Sequence, residues 1–261
     1  MPDFLSKRQQ GATIITIAEP ENRGFDHLQT LSAGIFDVDG VLLASPHERA
    51  WREALVGFAE PNRFTTAMYQ IHVAGMPRLN GARAALEALG VPDAPRRAAA
   101  YAERKQQRFE ELIRAGSVAA FPDALRFVHA VAALGWPVAV ASSSKNANQM
   151  LRSIQLDGGR SLLDIFRANV CGRDLPRGKP DPEIFLLAAA ELQIEPARCL
   201  VIEDAPVGIA AARAGGMAAL GVARLRDTTS LLAAGAHLVV TNLDEVAIDG
   251  LAQGRLRRRP A

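Results

Sequence analysis

The chain has 261 residues, 49% of them hydrophobic, which is enough for one large domain or for a core domain with a smaller companion. A formal net charge of +2 gives no bulk electrostatic reason to expect nucleic acid or a membrane surface as a partner. The longest apolar stretches, such as VAALGWPVAVA, are too short and too broken by Gly and Pro to span a bilayer. The N-terminus lacks a basic region followed by an apolar one, so a soluble, cytoplasmic protein is expected.

Residues 1–30 form an extension of unreadable role, with one possible strand in ATIITIA. GIFDVDGVLL follows, and its apolar start predicts a strand over Ala33 to Phe36 that runs into Asp37 and Asp39. Between 46 and 120 the composition changes to Ala, Leu, Glu and Arg. HERAWREALVGFA, NGARAALEALG and RRAAAYAERKQQRFEELIRAG read as helices separated by Pro and Gly, a helical insertion after the first core strand. From 121 to 250 short β-rich runs return: WPVAVASSS, ANVCG, CLVIEDA, MAALGVA and HLVVTNL. Helical patterns in NANQMLRSIQL, DPEIFLLAAAELQI and PVGIAAARAGG lie between them.

Strands alternating with helices predict a parallel sheet with right-handed crossovers. Because the strands are nearly continuous aliphatics, helices should cover both sheet faces. The expected fold is therefore a doubly wound α/β core, residues 31–45 and 121–250, with an inserted helical cap over 46–120. The basic tail, 251–261, is expected to be solvated. Cys171 and Cys199 are the only cysteines and fit no metal-binding spacing, so both are expected as buried free thiols.

Asp37 and Asp39 would emerge at the carboxyl end of their strand, where open α/β sheets place a ligand crevice. Residues two apart on an extended backbone point the same way. Two carboxylates aimed at one point call for a cation or a proton between them, and Mg²⁺ prefers such hard oxygen ligands. An Asp before Gly also suits an ordinary turn. Glu203 and Asp204 repeat the arrangement at the end of CLVIE, where Asp204 could equally cap the helix beginning at Pro206.

Positive charge and oriented N–H groups for an anion are offered by Ser142, Ser143, Ser144, Lys145 and Asn146, although a Ser-rich helix cap reads the same way. Lys179 sits between Gly178 and Pro180 in a rigid loop before a helix. Gly172 to Lys179 superficially resembles the phosphate loop of nucleotide triphosphatases. It is one residue too long, and Pro180 stands where a Ser or Thr would bind Mg²⁺.

Taken in order, FDVDGV, VASSSKN, GKPDPEIF and VIEDAPVGIAAARAGG resemble the four motifs of the haloacid dehalogenase superfamily of phosphotransferases over about Ala33 to Leu243. The resemblance implies Asp37 as the nucleophile that forms an aspartyl-phosphate and Asp39 as general acid and base. Lys179 would screen charge, and Ser142 and Asn146 would hold phosphoryl oxygens. Mg²⁺ would be bound by Asp37, Asp39 through its backbone carbonyl, Asp204, and Glu203 partly or through water.

A helical insertion directly after DxDGV resembles the subgroup that contains β-phosphoglucomutase, phosphoglycolate phosphatase and many sugar-phosphate phosphatases. SSSKN and HERAW lean toward the mutase. On that resemblance His47 links cap closure to Asp39, Arg78 grips the distal phosphate of a bisphosphate, and Lys105 lies near the substrate. The implied partner is a small phosphorylated sugar, with no nucleic acid and no membrane, acted on by a monomer. The implied reaction is conversion of β-glucose 1-phosphate into glucose 6-phosphate, or alternatively hydrolysis of a sugar phosphate or a phosphoglycolate-type ester. The chain departs from the subgroup in the segment LLASPHERAW, two residues short of the usual spacing before the His, and in Ala205, where a Ser is frequent.

Overall fold

The computed structural model describes residues 30–260 apart from positions 75 and 226, so the expected strand in ATIITIA lies outside the described residues. Strand β1 (Ala33–Phe36) runs into the acidic turn and then into the short strand β2 (Leu43–Ala44). Helices α1 (His47–Glu53), α2 (Thr66–His72), α3 (Arg78–Ala88) and α4 (Ala94–Arg114) follow, and β3 (Ala119–Ala120) brings the chain back. The remainder runs α5 (Pro122–Ala133), β4 (Val138–Val140), α6 (Ala147–Ser153), β5 (Ala168–Asn169), α7 (Glu183–Leu192) and β6 (Cys199–Glu203). It continues through α8 (Pro206–Ala214), β7 (Ala218–Val222), α9 (Thr228–Ala233) and β8 (Leu238–Val240) to α10 (Ile248–Ala252).

Six strands form one parallel sheet in the order β5-β4-β1-β6-β7-β8. Alternation along the strands sends Ala33, Ile35, Ala139 and Val201 to the face covered by α7 and α8. Phe36, Val138, Val140, Leu200 and Ile202 face the other way, toward α5 and α6. With both faces buried, each strand position must be apolar, which is why the strands read as unbroken aliphatic runs. The chain leaves β1 for β4 and β5 on one side and later adds β6, β7 and β8 on the other. The loops at the carboxyl ends of β1, β4 and β6 therefore diverge around a crevice.

The insertion packs round its own cluster, which includes Trp51, Leu55, Phe64, Leu86 and Tyr101. The Tyr101 hydroxyl donates to the carbonyl of Trp51 at 2.8 Å, so the buried phenol is satisfied. β2 and β3 pair antiparallel, Leu43 opposite Ala120, and form a two-stranded ribbon through which the chain leaves and rejoins the core. Phe109, Leu112 and Ile113 of α4 join the core cluster beneath, tying the insertion down.

Several elements differ from expectation. The helix foreseen over HERAWREALVGFA ends at Glu53, and Gly57 then turns with φ +84°. ANVCG pairs only over Ala168 and Asn169, because beyond them the chain turns to donate from Gly172 N–H to the carbonyl of Ser142 at 2.9 Å. The basic tail is exposed at Arg255, Arg258 and Arg259, as expected of a solvated run, but it is also anchored: Leu256 is buried, Arg257 pairs with Asp249, and Arg258 pairs with Glu245. Cys171 and Cys199 are free and buried, and burial pushes both thiols up to about 12. Among the described residues no helix is long and apolar enough to cross a membrane.

Candidate active site

Asp37 follows β1 directly, buried at 6% exposure, and its N–H donates to the carbonyl of Ile202 on β6 at 3.0 Å. Two residues past it, Asp39 is followed by Gly40 at φ +79°, and a Cβ at position 40 would lie 1.8 Å from the Asp204 carboxylate. Only glycine lets the acidic turn close against the end of β6, which is how sequence-distant carboxylates come together.

The loop before α7 delivers Lys179, whose Nζ donates to Asp37 Oδ1 at 2.6 Å and to Glu203 Oε1 at 2.7 Å over the ring of Phe185. Glu203 Oε2 accepts the Ala205 N–H at 2.7 Å. Both oxygens of Glu203 are therefore committed, and Gly208 of α8 presses so close that a Cβ there would overlap the carboxylate. Glu203 therefore holds Lys179 in place, which leaves it at most a partial or water-mediated part in a metal site. Burial opposes the charge on Lys179, but Asp37 and Glu203 outweigh it and keep the ammonium protonated. Burial raises Asp37 against the pull of Lys179, with Glu203 and Asp39 adding to the rise. Asp204 rises by burial and then by Glu203 and Asp37.

Asp39 shifts the other way. Burial would raise it, but His47, the Ser45 hydroxyl and Lys105 together hold it below the usual carboxylate range. His47 places Nε2 3.6 Å from Asp39 Oδ2, and its ring stacks on Phe109 with centroids 4.1 Å apart. Its Nδ1 lies 2.9 Å from Lys105 Nζ. A protonated lysine can only donate, so Nδ1 accepts and Nε2 carries the hydrogen toward Asp39. Lys105 is 4% exposed between the rings of Trp51 and Phe109. Its pKa falls to about 8, mainly by burial, with Asp39 opposing and Arg78 assisting. Arg78 itself is exposed at the start of α3, on the insertion side of this relay.

The loop after β4 splits by parity. Ser142 is buried and accepts the Ser144 N–H at 3.2 Å, and the Ser144 hydroxyl accepts the Asn146 N–H at 3.3 Å. Ser143 is exposed, and Lys145 reaches outward to Asp174 at 2.5 Å with its side chain 70% exposed. Ser143 and Lys145 thus lie on the solvent side of this loop, Lys145 held by Asp174, while Ser142, Ser144 and Asn146 are joined to one another.

Three neighbours escaped the sequence reading. Ser45 touches Asp39, and its only signal was a hydroxyl in the shortened connection before Pro46. Gln106, beside Lys105 in ERKQQ, donates from Nε2 to Asn146 Oδ1 at 2.9 Å and links the insertion to the loop after β4. Tyr69 on α2 has its phenol pKa raised by burial first and then by Asp39, Asp204 and Glu48, which places it beside the carboxylates.

The residues fit a divalent cation. Asp39 Oδ1 is buried without a hydrogen-bond partner. Asp37 and Asp204 are both raised by burial and by neighbouring negative charge, so a cation beside them would relieve both. Among the described residues no three His, Cys, Asp or Glu side chains form a ready metal cluster. Mg²⁺ commonly takes one or two carboxylates and completes its shell with water and substrate oxygens.

A doubly wound sheet with acidic strand ends at its switch point and a helical insertion above them defines an α/β enzyme class. Residues 32–216 match the haloacid dehalogenase-like hydrolase family, and the chain belongs to that family. It is 32% identical over 243 residues to the β-phosphoglucomutase of Mycobacterium bovis, covering 84% of this chain and 92% of that protein. It is 30% identical over 215 residues to a phosphorylated carbohydrates phosphatase of Thermotoga maritima, covering 80% and 94%. The crystal structure of an archaeal β-phosphoglucomutase from Pyrococcus sp. strain ST 04 superposes with a TM-score of 0.69 at 32% identity, covering 85% of this chain and 97% of that one.

Proposed function

We propose that this chain catalyses Mg²⁺-dependent phosphoryl transfer on a phosphorylated sugar through an aspartyl-phosphate at Asp37, acting as a β-phosphoglucomutase. The observation that carries the mutase reading is the chain Lys105, His47, Asp39, which runs from the insertion to the acidic turn. Such a relay ties the orientation of Asp39 to whatever occupies the insertion side, a feature useful for a sugar acceptor and unnecessary for water.

Lys179 holds Oδ1 of Asp37, which leaves Oδ2 to attack phosphorus while the bond to the sugar oxygen breaks. Asp39, ionised at rest, gives that leaving oxygen the proton it took from the acceptor hydroxyl in the preceding half. In the return half, a sugar hydroxyl passes its proton to Asp39 and attacks the phosphoryl group, releasing Asp37. Ser142 and Asn146 hold phosphoryl oxygens, and the ammonium of Lys179 neutralises charge on the carboxylate. Mg²⁺, when held by Asp37, the Asp39 carbonyl and Asp204, would supply charge neutralisation at the phosphoryl oxygens. Arg78 and Lys105 would face the second phosphate of a bisphosphate.

A phosphorus NMR time course with Mg²⁺ and β-glucose 1-phosphate, primed with glucose 1,6-bisphosphate, tests this reading. Glucose 6-phosphate with little orthophosphate is the expected result. Orthophosphate released in step with substrate loss would overturn it in favour of a phosphatase, the reading that the Thermotoga relative supports.

A further inference from the structure

One half-buried cation outside the transfer chemistry meets the acidic turn from behind. Arg224 lies two residues past β7, with its side chain 15% exposed. Its Nη2 donates to the carbonyl of Val41 at 3.1 Å and its Nε to the carbonyl of Gly40 at 3.3 Å. Its Nη1 pairs with Asp123 Oδ2 at 2.6 Å, and its guanidinium carbon sits 4.0 Å over the ring of Phe121. Asp123 is 4% exposed in the first turn of α5, and its Oδ2 also accepts the Leu243 N–H at 2.8 Å. Phe121 is the first residue after β3, and its N–H donates to the carbonyl of Leu42 at 3.0 Å.

Each partner occupies a strategic position. Gly40 and Val41 continue the turn that carries Asp37 and Asp39, and that turn runs into β2. Phe121 and Asp123 stand where β3 returns to the core. One planar fork therefore joins the acidic turn to both strands of the ribbon that carries the insertion, and His47 follows that ribbon by three residues. A lysine could keep the charge opposite Asp123, but as a single point donor it could not hold two carbonyls and stack on a ring together.

We propose that Arg224 is a positioning residue that fixes the acidic turn relative to the ribbon, and so keeps Asp39 between Asp37 and His47. Arg224 touches neither substrate nor reacting atoms. It acts by preventing small displacements of the turn, to which transfer is steeply sensitive because a shift of about 1 Å can cost about 10²-fold in rate. The inference rests on the reading that Asp37 and Asp39 carry the transfer.

The test compares Arg224→Lys with Asp123→Asn, using thermal melting, kcat and KM for the sugar phosphate. Arg224→Lys keeps the charge facing Asp123 and loses the carbonyl bonds. The expected result is a melting temperature close to wild type, kcat lowered about tenfold or more, and KM within about twofold. Asp123→Asn keeps the carbonyl bonds and loses the ion pair, and it should lower the melting temperature while leaving kcat within about threefold. Wild-type kcat in Arg224→Lys would overturn the proposal. Losses of kcat that simply follow losses of stability in both variants would also overturn it, since Arg224 would then be a structural counter-ion. Should Arg224→Lys fail to fold, Phe121→Leu removes the ring under the guanidinium without exposing a charge. A lowered kcat there at constant KM supports the proposal, and a wild-type kcat overturns it. Asp37→Asn, assayed alongside, separates the two failures: retained turnover there refutes the transfer reading, whereas lost turnover there with intact Arg224→Lys refutes only the role of Arg224.

Discussion

Lys179 and His47 both bring a nitrogen to the acidic turn, one from the core and one from the insertion, yet they are held differently. Lys179 is gripped at 2.6 and 2.7 Å by two carboxylates that are themselves buried, and every oxygen of Glu203 is spoken for. His47 stands 3.6 Å from Asp39, a contact beyond hydrogen-bond length, and is backed by Lys105 on a separate helix. The core side is electrostatically preorganised and needs no rearrangement to support charge at Asp37. The insertion side leaves slack between His47 and Asp39 that an acceptor could take up. Under the proposed function, the charge that supports transfer sits in the first region and the choice of acceptor in the second.

The sharpest way to break this division is Asp37→Asn, which removes the nucleophile and should lower turnover of any phosphate ester by about 10⁵-fold with the fold intact by circular dichroism. Substitution of Lys179 by methionine comes next. It strands two buried carboxylates, so kcat should fall about 10² to 10³-fold for every substrate, and stability measured by urea unfolding should drop by about 3 kcal/mol or more. On the insertion side the effects should be smaller and selective. Lys105→Met should cut transfer to a sugar acceptor by about 10 to 10²-fold while hydrolysis of a small aryl phosphate stays within about threefold. Equal losses on both substrates would erase the contrast between the regions.

The mildest effect should appear in the frame alone. His237 is held to about 4, chiefly by burial and then by Arg213, and its Nδ1 accepts the Ala219 N–H at 3.0 Å. Between about pH 4 and pH 6.5 the unfolded chain binds a proton that the folded chain refuses, so stability rises with pH across that window. His237→Gln should flatten that part of the stability profile without altering the pH profile of kcat.

Much of this was legible because it is local. DxD after an aliphatic run, ED before Pro206, and Lys179 between Gly and Pro each mark a strand end or a fixed loop within a few residues. The parallel topology then brings those ends to one crevice. What was not legible depends on partners far away in sequence. Glu203 read as a ligand because its acidity was visible, but its use is set by Lys179 and by the close approach of Gly208. Lys145 read as a phosphate ligand, but Asp174 draws it outward. The Arg-rich tail read as solvated, and its arginines are largely exposed, but Leu256 pins it and Asp249 and Glu245 pair with two of those arginines. Arg224 is one of two arginines just after a strand, and its four contacts lie 101 to 184 positions away in sequence.

The most direct test of the account is to trap the intermediate. Enzyme turning over its sugar phosphate with Mg²⁺ would be quenched within milliseconds, the acyl phosphate reduced with borohydride, and the peptides mapped by mass spectrometry. The account predicts that position 37 alone is converted to the reduced product in wild type and that Asp37→Asn shows no conversion. Conversion at another carboxylate, or full turnover with none at position 37, would contradict it.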